Sequence, residues 1–311
     1  MVTVDSFLQN KKILLDKGVD VCIDSIYIEN ENIIGKYVRN IETLHKLHSC
    51  SKILVAMAVG IAIDRKMLID GVPISMETKV YPIIKNIVHV TNHNNLLKIK
   101  QWTIKNLLTH TTGYEKQMMS EKFIVDIDKN KLLDYALNFD IPYVVGTRFA
   151  YNNVEPFIIS VIFQEAFGIN LSEFINKYIF EKLEIFDYKW ENYGKYCPGS
   201  TGLLLKHFDF HKIGQLLLND GKYNEVQIVP KEWINKMCSF QFESKSEYKM
   251  QRLLPKMGMG YFMWISRDGF VFRDGSEGQY IIVNKQKKLL ITIMSSEKNM
   301  GNVTEILRGL I

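Results

Sequence analysis

Ser49 and Lys52 stand three apart in the run Ser49-Cys50-Ser51-Lys52, at the head of an unbroken apolar stretch over residues 53–63. Residues three apart share a helix face, so the Lys52 amine can reach the Ser49 hydroxyl. A serine hydroxyl is a poor nucleophile until a neighbouring base takes its proton. A lysine can be that base when burial and nearby positive charge lower its proton affinity. The helix N-terminus adds backbone N–H groups and a favourable dipole for an oxyanion. The spacing alone is not specific, because Ser246 and Lys249 repeat it in a polar stretch that reads as a surface loop. Context separates the two, since only Ser49 opens a buried helix.

Two further groups of residues could complete such chemistry. Tyr151-Asn152-Asn153 follows Gly146-Thr147-Arg148-Phe149. A phenol near two cations can shuttle protons, and the Asn153 amide can both donate to and accept from a substrate amide. The plainer reading is a half-buried tyrosine and a polar cap ahead of a helix at Glu155. Arg273-Asp274-Gly275-Ser276 precedes Gly278-Gln279-Tyr280. A cation on a strand edge could bind a substrate carboxylate, and the glycine would let a substrate backbone approach. The plainer reading there is a β-turn, because Asp-Gly is a strong turn signal.

The elements that would position these residues are legible from periodicity. Residues 6–17 read as an amphipathic helix stopped by Gly18, and residues 21–28 and 33–38 as a strand pair around a turn. Residues 51–63 are apolar on every face, which predicts a helix enclosed by others. Thr103 reads as an N-cap and Gly113 as a stop. Residues 132–137, 155–167, 171–183, 208–218 and 231–237 are further helical segments. The tail changes character: residues 260–265, 269–273, 279–283 and 289–294 read as successive antiparallel strands, and 303–310 as a closing helix. The two ends of the chain therefore build one sheet, and the middle builds a helical region between them.

The 311 residues are enough for one large domain or two packed ones. An apolar share of 47% against 23% charged residues excludes a disordered chain. The net charge of +5 is dispersed, without an arginine-rich arm, so no nucleic-acid partner is expected. Cys22, Cys50, Cys197 and Cys238 form no C-x-x-C pair. The longest apolar run is too short to span a bilayer, and the first residues lack the apolar core of a signal peptide. These features lead to an expected cytoplasmic location, or a secreted one if a leader was removed, and leave the oligomeric state open.

Ser-x-x-Lys, Tyr-x-Asn and a late cation-x-Gly, in this order, resemble the serine β-lactamase and penicillin-binding-protein superfamily. Tyrosine at the head of the second motif makes the chain similar to the class C β-lactamase-like branch, with its esterases, D-aminopeptidases and 6-aminohexanoate-oligomer hydrolases. Residues 107–113 (LLTHTTG), 146–153 (GTRFAYNN), Gly202-Leu203, 214–216 (GQL), 228–233 (IVPKEW) and 278–280 (GQY) add to the likeness, which covers roughly residues 20–296. The resemblance implies an α+β, β-lactamase/transpeptidase-like fold: an antiparallel sheet flanked by N- and C-terminal helices, with an inserted all-helical region. It implies a sheet domain from residues 1–63 and 256–311, a helical domain from 64–255, and an active site between them. It further implies a serine hydrolase in which Ser49 is acylated by a small-molecule or short peptide substrate. Lys52 and Tyr151 would act as a coupled base and acid. The backbone N–H groups of Ser49 and Ser276 would form the oxyanion hole. Asn153 would hold a substrate amide or orient Lys52, and Arg273, Gly275 and Gln279 would line the substrate site. No metal or organic cofactor is implied.

The third motif departs from the family pattern. Arg273 stands where many members have Lys or His, and a guanidinium supplies charge but shuttles protons poorly. Asp274 and Glu277 bring negative charge beside it. These departures weigh against β-lactamase activity more than against acyl transfer, and they motivate the alternative of a non-catalytic ligand-binding or sensory protein on the same fold. A thiol enzyme built on Cys50 with His45 or His48, and a metal site at His89 and His93, are weaker alternatives.

Overall fold

The computed structural model describes residues 2–31, 33–39, 43–244 and 256–311. Ser246 and Lys249, the second Ser-x-x-Lys match, lie outside the described residues.

Thr3 opens the first helix, Val4–Asp16, by accepting from the Ser6 amide in a reciprocal capping box, which places the start two residues ahead of the periodic signal. The chain then enters Ile23–Asn30, which pairs antiparallel with Ile33–Val38 and, on its other edge, with Leu289–Ser295. The first and last strands of the chain thus share one seven-stranded antiparallel sheet. Its order runs Lys256–Met259, Trp264–Ser266, Val271–Gly275, Gln279–Asn284, Leu289–Ser295, Ile23–Asn30, Ile33–Val38. Gln279–Asn284 and Leu289–Ser295 are buried along their whole length. A strand covered on both faces reads as a largely apolar run, and these do apart from Gln279, Asn284, Thr292 and Ser295, which are buried.

One sheet face, with Ile26, Ile28, Ile282 and Ile291, packs against Phe7 and Leu14 of the first helix and Val303 and Leu307 of the last, Met300–Arg308. The other face, with Ile281, Val283 and Leu290, meets His207–Leu218. A Cβ on Gly214 would lie 2.6 Å from the Leu290 side chain, so glycine lets this helix approach the sheet closely.

Lys52–Asp64 is buried from Lys52 through Ala62 and runs through the middle of the helical packing. Trp233 crosses it and donates to the Ala56 carbonyl at 2.9 Å. The α+β architecture is the one expected, with local corrections. The stretch read as a strand over 260–265 is extended only from Trp264 onward. Before that point the Tyr261 and Phe262 amides bond the Met237 and Leu108 carbonyls, and Phe262 takes a left-handed φ of 57°. The stretch over 171–183 starts as an α-helix, Leu171–Ile175, and widens to a π-turn at Asn176–Phe180. A small sheet not foreseen joins His45–Lys46, Leu203–Leu205 and Tyr188–Trp190. It pins the chain just ahead of Ser49, where the Leu47 amide donates to the Leu203 carbonyl at 2.9 Å. Among the described residues no single helix is long and apolar enough to cross a membrane.

Candidate functional site

Ser49 lies in a tight 3-10 turn, His48–Ser51, that leads directly into Lys52–Asp64. Its neighbours His48, Cys50 and Ser51 are buried while Ser49 stays partly open. Ser51 fixes the turn by donating to the His48 and Gly199 carbonyls at 2.8 and 3.1 Å. His48 holds the turn open with a left-handed φ of 47°.

Three side chains converge on this turn. Lys52 Nζ lies 3.1 Å from Ser49 Oγ, and Tyr151 OH lies 2.8 Å from the same atom. Lys52 also donates to Asn153 Oδ1 at 2.7 Å and to the Ser200 carbonyl at 3.5 Å. The Lys52 and Arg273 charges sit against the Tyr151 ring, each 5.0 Å from its centroid. Lys52 is fully buried. Burial first, and then the Arg273 charge, holds its amine well below the usual lysine range, while the Glu155 charge opposes both.

Asn153 is committed to this arrangement. Its carbonyl takes the Lys52 proton donor, and its amide nitrogen donates to the Met119 carbonyl at 3.1 Å. Asn152, assigned no role from the sequence, stands just ahead of Asn153, the N-cap residue of the following helix, and binds the first amides there with its side chain. Its Oδ1 accepts from the Asn153, Val154 and Met118 amides. It thereby ties the loop at Met118 to the start of Val154–Phe167.

Three expectations for the third motif are revised, those for Arg273, Gly275 and Gln279. Arg273 does not face a substrate carboxylate, being fully buried. Nε donates to the Ser49 carbonyl at 3.1 Å, Nη1 to the Phe262 carbonyl at 3.2 Å, and Nη2 to Tyr151 OH. The left-handed kink at Phe262 is what turns that carbonyl toward the guanidinium. Gly275 makes room for the protein itself: a Cβ there would lie 2.7 Å from the Leu47 carbonyl and 3.2 Å from His48 Cβ. Gln279 is fully buried and clamps two strands, accepting from the Ser295 amide at 3.1 Å and donating to its carbonyl at 2.6 Å. Tyr280 packs beneath the sheet and meets Thr304 at 3.0 Å. Ser276 is exposed at the end of the third-motif strand. Glu277 follows it with a left-handed φ of 63° and bonds His48 Nε2 at 3.2 Å.

Beneath Tyr151 lies a second buried group. Glu155 accepts from Thr112 Oγ1 at 2.7 Å and pairs with His110 Nδ1 at 3.1 Å. The His110 ring packs on Tyr151, Phe149 and Phe262. Burial lowers the His110 proton affinity, partly opposed by Glu155. A signal was present in the sequence: Glu155 is the one charged residue in the run 154–163, which is apolar but for it and Ser160. Such a residue is buried only with partners.

Cys50 is unsuited to thiol chemistry, because it is buried and desolvation pushes its thiol far up. Among the described residues no three His, Cys, Asp or Glu side chains are grouped to hold a metal ion. A cavity of about 750 Å3 adjoins the second motif, lined by Tyr143, Thr147, Arg148, Phe149 and, opposite, Phe240 and Phe242.

The sequence profile of the beta-lactamase family matches residues 35–210, more than half of the chain. The chain belongs to the beta-lactamase family. This is a family of serine hydrolases. The fold is shared with solved structures of low identity. An octameric penicillin-binding protein homologue from Pyrococcus abyssi aligns with a TM-score of 0.75 and 18% identity, over 96% of this chain and 75% of that one. A class C beta-lactamase from Rhodobacter sphaeroides aligns at 0.72 and 14%, over 98% of each chain. EstCE1, a hydrolase with promiscuous acyltransferase activity, aligns at 0.73 and 12%, over 98% and 99%. No curated protein matches the chain by sequence.

Proposed function

We propose that this beta-lactamase family member is a serine hydrolase working through an acyl-enzyme on Ser49, in a cleft between a sheet region (residues 1–63 and 256–311) and a helical region (64–255). The observation that carries the reading is the pair of contacts at Ser49 Oγ: the Lys52 amine at 3.1 Å and the Tyr151 phenol at 2.8 Å. A lysine whose proton affinity is lowered by burial gives up its proton more readily than a solvated one, which suits it to act as the base. Ser49 Oγ attacks the carbonyl carbon, and its proton passes to the Lys52–Tyr151 pair. The same pair returns that proton to the leaving group as the acyl bond breaks. Water then attacks the ester, with the pair acting again as base and acid. The Lys52 amine and the Tyr151 phenol share one proton pool, so the titration belongs to the pair.

Arg273 serves as a positioning residue. It orients Tyr151 and holds the Ser49 carbonyl. The Ser49 and Ser276 amides would receive the oxyanion. The substrate is a small ester, amide or lactam, and the cavity beside Phe149 is the candidate pocket for its side chain.

The test is intact-protein mass after brief exposure to a fluorophosphonate or an activated acyl ester, on the native protein and on Ser49→Ala. A mass gain in the native protein alone supports the reading. No gain in either, with the circular dichroism spectrum of a folded chain, moves the assignment to a non-catalytic ligand-binding protein.

A further inference from the structure

Resting on that hydrolase reading, we infer that Glu277 is a specificity-determining residue and that the site takes neutral or cationic acyl substrates in preference to those carrying a carboxylate. The charges of the three motifs differ in whether a substrate can meet them. Lys52 is fully buried and bonded to Ser49, Asn153 and Ser200. Arg273 is fully buried, and all three of its nitrogens are spent on Ser49, Phe262 and Tyr151. Moving the guanidinium outward to a ligand would strand two backbone carbonyls and the Tyr151 phenol. Leaving buried polar groups unpaired costs more than one surface contact returns. Asp274 is held by Trp264, whose Nε1 donates to it at 2.8 Å. Glu277 is different: its side chain is 48% exposed.

The position of Glu277 is built rather than incidental. It follows Ser276 at the end of the strand whose Gly275 presses on Leu47 and His48. Its carboxylate meets the ring of His48, the residue immediately before Ser49. Both partners adopt left-handed backbone, with φ of 63° for Glu277 and 47° for His48. A bulky side chain pays roughly 1–3 kcal/mol for such a conformation, and a structure keeps it only when surrounding contacts fix it. Glycine at either position would relieve the backbone, yet each carries a long polar side chain that reaches the other. The result is a carboxylate at the rim beside the nucleophile turn, with the motif cations sealed behind it. A substrate carboxylate arriving there meets like charge, whereas an ammonium group meets a partner.

Three p-nitrophenyl esters of matched length test this: the butyrate, the 4-aminobutyrate and the succinate half-ester. Acylation of Ser49 is followed by p-nitrophenol release and by intact mass. The native protein is expected to favour the 4-aminobutyrate over the succinate half-ester by roughly tenfold or more at low salt, with the gap shrinking as ionic strength rises. Glu277→Gln keeps the shape and removes the charge, and should narrow the cationic-to-anionic ratio several-fold. A ratio identical in the two proteins, or one indifferent to salt, overturns the role of Glu277 while leaving the hydrolase reading intact. Acylation by none of the three esters sinks the hydrolase reading and this preference with it.

Discussion

Lys52 Nζ lies 3.1 Å from Ser49 Oγ while donating to Asn153 Oδ1 at 2.7 Å, so a fully buried amine spans the nucleophile and an amide that orients it. This is an expensive place for a lysine. Its proton affinity in the folded chain lies well below the ordinary value of 10.5. The unfolded chain therefore binds the extra proton that the folded chain refuses. The folded state is penalised at all pH values below the folded titration, and stability rises with pH from there up to 10.5. Lys52→Met should abolish Ser49 acylation, a loss of roughly 10²–10⁴-fold or more for a general base. The same substitution should raise the thermal midpoint at pH 7 by a few degrees, the order expected for about 1–2 kcal/mol in a chain of this size. Denaturant midpoints at pH 7 and pH 10 check the sign: the advantage of the variant should shrink at the higher pH.

Glu155 sets the opposing term. It is buried with His110 and Thr112, and its charge raises the Lys52 proton affinity that burial and Arg273 depress. Tyr114, Tyr151, Asp274 and Cys50 are further titratable groups around these residues. Glu155→Gln removes the raising charge, so the acid limb of the acylation rate should move to lower pH. Glu155→Asp should restore part of the native limb. A variant that merely loosens the fold would lower the rate at every pH without moving the limb.

Much of this arrangement is legible in the sequence, and the reasons are local. Ser49 and Lys52 are joined by helix geometry, which spacing alone reports. The unbroken apolar run at 53–63, and the run at 289–294 that only Thr292 interrupts, announce elements buried on all sides. The direction of a side chain on a strand is another matter. Sequence position predicts that Arg273 and Gln279 face a substrate, and both turn inward. The partners that decide this are the carbonyls of Ser49, Phe262 and Ser295, and backbone carbonyls carry no sequence signal. The kink at Phe262 was hidden for the same reason. The strand pattern of 260–265 is genuine, but bonds to Met237 and Leu108 override it.

A buried polar chain between His207–Leu218 and the sheet predicts acid lability. Ser25 meets His207 Nδ1, and Thr292 Oγ1 lies 3.1 Å from His207 Nε2 and 2.9 Å from His211 Nδ1. Glu29 then joins His211 and Gln215 at 3.2 and 2.8 Å. Burial, and next the charge of His211, lower the His207 proton affinity well below 6.5, with His45 adding a little. Above the unfolded value both states are neutral and His207 is without effect on the pH dependence. As pH falls through 6.5, the unfolded chain gains a proton that the folded chain refuses, and stability is lost. The denaturant midpoint should therefore drop between pH 7.5 and pH 5. His207→Gln should start from a lower midpoint and show a smaller drop.

Gly60 marks where the nucleophile helix is most tightly enclosed. A Cβ there would lie 2.2 Å from Trp233 Cδ1 and 2.4 Å from its Nε1. The Trp233 ring is held by its bond to the Ala56 carbonyl at 2.9 Å and packs on Tyr261. In an open helix Gly→Ala is favourable by about 1 kcal/mol. Here the methyl group must displace an indole that has one hydrogen-bond partner and little space, and overpacking of this kind costs about 1–3 kcal/mol or more. The loss of the indole bond adds to that cost. Gly60→Ala should therefore lower the thermal midpoint despite its better helix propensity. Trp233→Leu alone should also destabilise, by leaving a cavity. The pair Gly60→Ala with Trp233→Leu should be less destabilised than the sum of the singles, because the methyl enters space that the indole has left. Additive losses would mean that the two residues do not compete for the same volume.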